Sequence, residues 1–204
     1  MIKRAFDIFF SALGLLLLSP LLAAIALVVL CDSSGPVIYR QWRMGKDFRP
    51  FSIWKFRTMT RNAERLGAAI TLRSDARITR AGAWLRRYKL DELPQLFNIL
   101  RGDMSFVGPR PEVARYVEMY RDEYCDILRV RPGITDLASL QYRNESELLG
   151  ASAEAERLYC DHILPEKIRL SRLYLHRASL LFDLRLILRT LWAALRPEPR
   201  IRVL

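Results

Sequence analysis

Two carboxylates stand side by side at Asp91 and Glu92 in the stretch KLDELPQLFN, with arginines close by in the chain. Arg86 and Arg87 lie just upstream, and Arg101, Asp103 and Arg110 follow in LRGDMSFVGPRP. Neighbouring positions on a helix point roughly 100° apart, so the pair does not read as two acids sharing one proton. Either they cap a helix or each has its own task. Pro94 is tolerated in a first helical turn, where no N–H is needed. That places Asp91 at or beside an N-cap contributing ~1 kcal/mol. The arginines point to further chemistry: guanidinium groups neutralise phosphate oxygens, and a carboxylate among them can ligate Mg²⁺ or attack phosphorus. Gly108-Pro109-Arg110-Pro111 is a stiff run that holds one guanidinium at a set angle, and Arg131-Pro132-Gly133 repeats the device. A carboxylate near a helix N-terminus and near cations stays ionised and available as a nucleophile. These residues suggest a phosphate-bearing, anionic substrate. By themselves they do not fix the reaction.

Composition agrees with that class of substrate. The 204 residues carry a net charge of +11, yet 51% of them are apolar. A basic and apolar chain suits an anionic membrane surface or an anionic substrate; nucleic acid is the other usual partner of such charge. The three cysteines, Cys31, Cys125 and Cys160, form no metal-binding spacing and suggest a reducing compartment. With only His162 and His176 present, a histidine-based triad or zinc site is disfavoured, which leaves carboxylates and arginines to carry any catalysis.

The elements that must position these groups begin with IFFSALGLLLLSPLLAAIALVVL, Ile8 to Leu30, an uncharged run long enough for a transmembrane helix. Ser19-Pro20 interrupts it, and basic residues flank both ends: Lys3 and Arg4 before, Arg40, Arg43 and Lys46 after. The positive-inside rule keeps both flanks on the cytoplasmic side. A helix broken at Ser-Pro that dips into one leaflet and returns satisfies both features; a straight span with a kink is the alternative from hydropathy alone. VIYRQWR (Val37 to Arg43) and PFSIWKFRTM (Pro50 to Met59) read as a β-hairpin turning around Gly45. Arg61 to Gly67 reads as a short helix or loop. Helices are expected over Asp75–Leu90, Glu92–Leu100 and Glu112–Leu128. SLLFDLRLILRTLWAAL, Ser179 to Leu195, reads as an amphipathic helix in the membrane interface or packed on the anchor, with a plain core helix as the alternative. The arginine-rich tail after Arg196 argues against a second span. The fold class is α+β, mainly α, with an anchor over 1–34 and one domain over 35–204.

The motifs QWRMG, WKFRTM, SDARITRAGAWLRRYKLDELPQLFNILRGDMSFVGPRP and RVRPGIT resemble the bacterial sugar transferases, the monotopic polyprenol-phosphate phosphoglycosyl transferases. The resemblance runs from Lys3 to about Thr135. It implies a re-entrant membrane helix and an active site on the cytoplasmic face of the bacterial inner membrane. It also implies a covalent mechanism with Mg²⁺, in which Asp91 attacks the β-phosphate of a UDP-sugar and expels UMP. Polyprenol phosphate then takes the sugar phosphate from the aspartate. Glu92 would position the nucleophile, the metal or the acceptor, and both carboxylates are candidate metal ligands. Lys55, Arg86 and Arg110 match residues expected to bind substrate phosphates, and Arg143 falls where the family has an arginine beyond RPGIT. A homo-oligomer is compatible with this, and nucleic acid is not an expected partner. After RPGIT many members continue Gly-Trp-Ala-Gln, whereas this chain has Asp136-Leu137-Ala138-Ser139-Leu140. That departure leaves the transferred sugar open.

The competing class is a membrane-anchored basic adaptor that binds anionic lipid or nucleic acid without chemistry. Acids placed inside the cationic cluster weaken that reading, since they oppose binding to polyanions.

Overall fold

A computed structural model describes residues 2–61, 63, 75–143, 149 and 155–195; most of the Arg61–Gly67 stretch and the tail from Arg196 lie outside these. The apolar N-terminal run forms one helix, α1 (Ile2–Asp32), that continues through Pro20. Proline has no N–H for the carbonyl four residues back, so the Leu16 oxygen loses its helical partner. The Ser19 hydroxyl donates to that oxygen at 2.8 Å. The Ser-Pro pair thus satisfies the carbonyl it frees, and it lies inside a continuous element rather than between two.

At 1.5 Å per residue α1 is about 46 Å long, more than a hydrocarbon core needs. It is attached to the rest of the protein along that whole length. Near its start, Lys3 pairs with Asp183, and Arg4 donates to the Ile99 and Leu100 carbonyls at 2.6 and 2.9 Å. Leu15 and Leu18 pack on a cluster of Phe51, Ile53, Leu96, Ile99 and Met104. Further along, Ile25 and Val29 join Phe56 and Leu85 in a second cluster. At its end, Arg57 donates to Val29 O at 3.1 Å and Ser33 O at 2.5 Å, tying the helix C-terminus to the exit of the second strand segment. Asp32 accepts the Ala81 N–H at 3.1 Å. The opposite face stays bare, with Leu16, Leu17 and Leu27 between 64% and 71% exposed.

The hairpin forms where alternation and aromatic content called for it: β1 (Ile38–Met44) pairs antiparallel with β2 (Pro50–Phe56). Next come α2 (Arg80–Arg87), capped by the Thr79 hydroxyl, and α3 (Gln95–Arg101), ended by Gly102 in the left-handed region. Both are shorter than the periodicity suggested. A Cβ on Gly82 would lie 2.1 Å from the Thr58 carbonyl oxygen, so α2 docks on the strand exit by a backbone approach open to glycine alone. Asn98 joins α3 to β2: its Oδ1 accepts the Trp54 N–H at 3.0 Å and its Nδ2 donates to Ser52 O at 2.7 Å. It is fully buried. Replacing it by alanine leaves an inward N–H and C=O unpaired, so Asn98→Ala is expected to cost about 2–4 kcal/mol in a denaturant titration.

A short parallel pair follows, which sequence patterning had not indicated. β3 (Ser105–Val107) lies beside β4 (Gly133–Thr135), and between them run α4 (Ala114–Met119) and α5 (Arg121–Ile127). The single helix expected over Glu112–Leu128 is divided at Tyr120, whose φ of −125° and ψ of 42° leave the helical region. α6 (Leu137–Gln141) comes next, then α7 (Ala155–Leu158), which runs through a π-helical turn into α8 (Leu164–Arg177). Tyr116, Val117, Tyr124, Ile127, Tyr159, Leu164 and Ile168 form the main core of this half.

The last helix, α9 (Leu180–Leu195), buries a carboxylate and leaves several large apolar side chains exposed. Asp183 and Leu186 face inward at 4% and 1% exposure, while Leu188, Leu191 and Trp192 are 58–66% exposed. The buried carboxylate is matched by Lys3 and by the Tyr174 hydroxyl, which donates to it at 2.8 Å. Leu188, Leu191 and Trp192 share the exposed side with Arg185 and Arg189, an amphipathic surface. Water does not favour exposing those three apolar side chains; an apolar surface does.

Candidate active site

Asp91 and Glu92 lie in a 3₁₀ turn, Leu90–Glu92, between α2 and α3. Lys89 precedes it with φ 57° and ψ 20°, a left-handed conformation that a non-glycine residue adopts only when its surroundings hold it there. The turn differs from the cap suggested by the sequence. Pro94 precedes α3, no side chain caps it, and Asp91 is not spent on backbone N–H groups. Its Oδ1 is buried without a hydrogen-bond partner.

The two acids are oppositely tuned. For Asp91, burial is the largest influence and raises the carboxyl above its ordinary range, against the opposing charges of Lys55 and Arg86. Burial acts on Glu92 in the same sense, but Arg110 and Lys55 overcome it and hold that carboxyl well below its ordinary range. The geometry shows why. Glu92 Oε1 accepts from Lys55 Nζ at 2.8 Å and from Arg110 Nη2 at 2.6 Å. Glu92 is therefore a fixed anion between two cations, whereas Asp91 is a desolvated carboxylate with one oxygen unclaimed. Lys55 is correspondingly lowered by burial, with Glu92 restoring part of the shift.

Neighbouring residues at the exit of β2 divide the work. Lys55 reaches Glu92, Phe56 enters the core against α1, and Arg57 closes the end of α1. The Thr58 hydroxyl accepts Arg86 Nε at 2.8 Å, and Arg86 acts on Asp91 through its charge. Arg110 is presented by the loop after β3. Gly108 N–H donates to Thr135 O at 3.1 Å and Gly133 N–H to Pro109 O at 3.0 Å. A Cβ on Gly133 would lie 2.1 Å from the Gly108 nitrogen, so the two segments touch backbone to backbone. The fold thus gathers Asp91, Glu92, Lys55, Arg86 and Arg110 in one place. Arg143 sits two residues beyond α6, partly buried, and does not join the pairs made by Glu92.

Residues 1–197 match the family model described as bacterial sugar transferase. The chain belongs to that family. It is 37% identical over 196 residues to the UDP-glucose:undecaprenyl-phosphate glucose-1-phosphate transferase of Escherichia coli, covering 94% of this chain and 40% of the relative. It is 40% identical over 164 residues to the UDP-N-acetylgalactosamine-undecaprenyl-phosphate N-acetylgalactosaminephosphotransferase of Aeromonas hydrophila, covering 79% and 38%. A UDP-glucose:undecaprenyl-phosphate glucose-1-phosphate transferase of Caulobacter vibrioides is 38% identical over 191 residues, covering 92% and 67%. The chain therefore spans about two fifths of the first two relatives and two thirds of the third. Relatives of comparable identity are named for different sugars.

Within this sugar transferase, several supporting residues were not singled out from the sequence. Arg57, Thr58 and Asn98 belong to quoted motifs, but their partners lie 20 to 50 residues away, and only the folded chain reveals them. Glu112 is a further case. It is buried, accepts from the Tyr159 hydroxyl at 2.8 Å and pairs with Arg43 at 3.4 Å, bracing the Arg110 loop from behind. The adjacency of Glu112 to the Gly-Pro-Arg-Pro run was its one sequence signal.

Proposed function

We propose that this sugar transferase moves a sugar 1-phosphate from a UDP-sugar to undecaprenyl phosphate, releasing UMP, at the cytoplasmic face of the bacterial inner membrane. The observation that carries the reading is the buried, unclaimed oxygen of Asp91, acted on by the charges of Lys55 and Arg86, next to the Glu92 that holds Arg110. Relatives named for this reaction, with glucose or N-acetylgalactosamine as the sugar, support it. In the first half-reaction an Asp91 carboxylate oxygen attacks the β-phosphorus, the phosphoanhydride bond breaks, and UMP leaves with the bonding electron pair. In the second, a phosphate oxygen of undecaprenyl phosphate attacks the same phosphorus, and the aspartyl–phosphorus bond breaks to restore Asp91. Arg86, Arg110 and Lys55 stabilise the charge that develops on the phosphate oxygens, with Arg143 as a further candidate from the α6 side. Glu92 orients Lys55 and Arg110 for that role.

The donor set also fits Mg²⁺, which takes one or two protein carboxylates and leaves its other positions to water and substrate phosphates. Among the described residues no group of three or more His, Cys, Asp or Glu could form an all-protein cage. Asp91 has the free oxygen to hold the ion, and Glu92 is the second carboxylate within reach in the chain. A bound ion would neutralise phosphate charge.

The membrane arrangement rests on α1. Both of its ends and its middle meet the same domain, which a helix crossing the bilayer away from that domain would not do. The bare faces of α1 and α9 would enter one leaflet, with residues 35–204 forming the cytoplasmic domain. Cysteines introduced at Ile2 and Arg40, with the three native ones replaced by serine, are expected to react with an impermeant reagent from the cytoplasmic side only. Labelling of the two from opposite sides would restore a straight span.

The reaction itself is tested by UMP release from a panel of UDP-sugars, with and without undecaprenyl phosphate. One active UDP-sugar, giving UMP and a lipid-linked product, supports the reading. No release from any of them overturns it.

A further inference from the structure

Asp136 closes β4 and is 2% exposed. Its two oxygens serve different partners. Oδ1 accepts the Ser139 N–H at 2.7 Å, capping the first turn of α6, while Oδ2 accepts the Arg110 backbone N–H at 3.4 Å. The parallel register Ser105↔Gly133 and Val107↔Thr135 brings this about, because both strands run out at the same end and release Arg110 and Asp136 next to each other. Asp136 also adds to the negative charge that acts on the Arg110 guanidinium, after the larger contribution of Glu92.

The loop that presents Arg110 has few amides to hold it, since Pro109 and Pro111 carry no N–H. On its far side Met44 N–H donates to Glu112 O at 2.8 Å and Arg43 reaches Pro111 O at 3.4 Å. On its near side the Arg110 N–H has Asp136. Beside the backbone bonds from Gly108 to Thr135 and from Gly133 to Pro109, one carboxylate thus adds a side-chain tie at the Arg110 N–H and also sets where α6 begins; two residues beyond α6 stands Arg143.

We propose that Asp136 is a positioning residue for phosphate binding, tying the Arg110 loop to the start of α6 so that the two are presented to the UDP-sugar in fixed relation. The assignment rests on the sugar-phosphate reading for its kinetic consequence, but its structural content stands apart from it.

The substitution Asp136→Asn separates the two jobs. An amide keeps one oxygen to cap α6 but offers only N–H to its second partner, so the Arg110 N–H loses its acceptor. The variant is expected to melt within a few degrees of the wild type, because the cap is kept. Its KM for the active UDP-sugar should rise about threefold with a smaller change in kcat, the scale of one long hydrogen bond to a carboxylate. In an Arg110→Ala background the same change should add almost nothing, because its effect passes through Arg110. Hydrogen exchange followed by mass spectrometry reads the contact without any assay of activity. The peptide spanning 106–113 should exchange one further amide quickly in Asp136→Asn, and Asp136→Ala should show this together with a lowered melting temperature.

Unchanged exchange in that peptide would overturn the proposal, whatever the enzyme transfers. So would losses that add fully in the Arg110→Ala background, or a fall in activity that only follows a fall in stability. If the exchange changes as expected while no UDP-sugar releases UMP from the wild type, the coupling stands and the reaction has been misassigned.

Discussion

Asp91→Asn is expected to fold, to melt no lower than the wild type, and to lose on the order of 10⁴-fold or more of its UMP release. The stability expectation follows from the site. Burial raises the Asp91 carboxyl, so the ionised form is disfavoured where it sits, and a neutral amide of the same shape escapes that cost. The activity expectation follows from the nucleophile, since an amide oxygen does not replace a carboxylate in attacking phosphorus. Incubated with the active UDP-sugar and no acceptor, the wild type should gain the mass of one sugar phosphate, and the variant none. Release of UMP before the acceptor binds would give ping-pong kinetics. An adduct that persists in Asp91→Asn would move the nucleophile elsewhere. A sequential rate law without any adduct would replace the covalent route by direct transfer.

Glu92→Gln should fail differently. The glutamine oxygen can still accept one of the two hydrogen bonds at Oε1, but the charge that balances Lys55 and Arg110 is gone. Breaking a buried pair leaves a desolvated cation, and here there are two. A fully buried pair broken in this way costs about 3–5 kcal/mol, and because Arg110 keeps 32% of its side chain in solvent the expected loss is smaller, about 2–3 kcal/mol. Turnover should drop about 10²–10³-fold, since Lys55 and Arg110 lose the group that aims them at phosphate. Glu92→Gln should therefore lose stability and rate together, whereas Asp91→Asn loses rate alone. Equal melting temperatures for the two variants would contradict this division of labour.

The membrane helix, the hairpin and the acidic pair were legible from the chain because each is written in consecutive residues. The uncharged run from Ile8 to Leu30 gives a helix at any register, and the alternation on either side of Gly45 gives a hairpin whose strands follow one another. Helix limits were less well defined. The apolar spacing over Glu112–Leu128 continues across Tyr120, but the helix divides there, with α4 packed on β1 and α5 on α8. The β3–β4 pair was invisible, because three-residue strands separated by two helices carry no local pattern.

At the site, the sequence by itself determined the inventory: two adjacent acids, several arginines on stiff loops, and a basic, apolar chain suited to phosphate and membrane. It did not settle which acid does what. Lys55 is 37 residues from Glu92 and Arg110 is 18 residues from it, and only the tertiary structure places both on one glutamate oxygen while leaving Asp91 bare. The helix-terminus argument made Asp91 a stabilised anion; burial reverses the sign of that shift, and burial is a property of everything packed around a residue. The same holds for α9, where hydropathy records how apolar the helix is but not which side faces in. Asp183 faces inward to meet Lys3, 180 residues away, and Leu188, Leu191 and Trp192 are left exposed. Local patterns fix what each segment can become, and contacts between distant segments fix which way it faces.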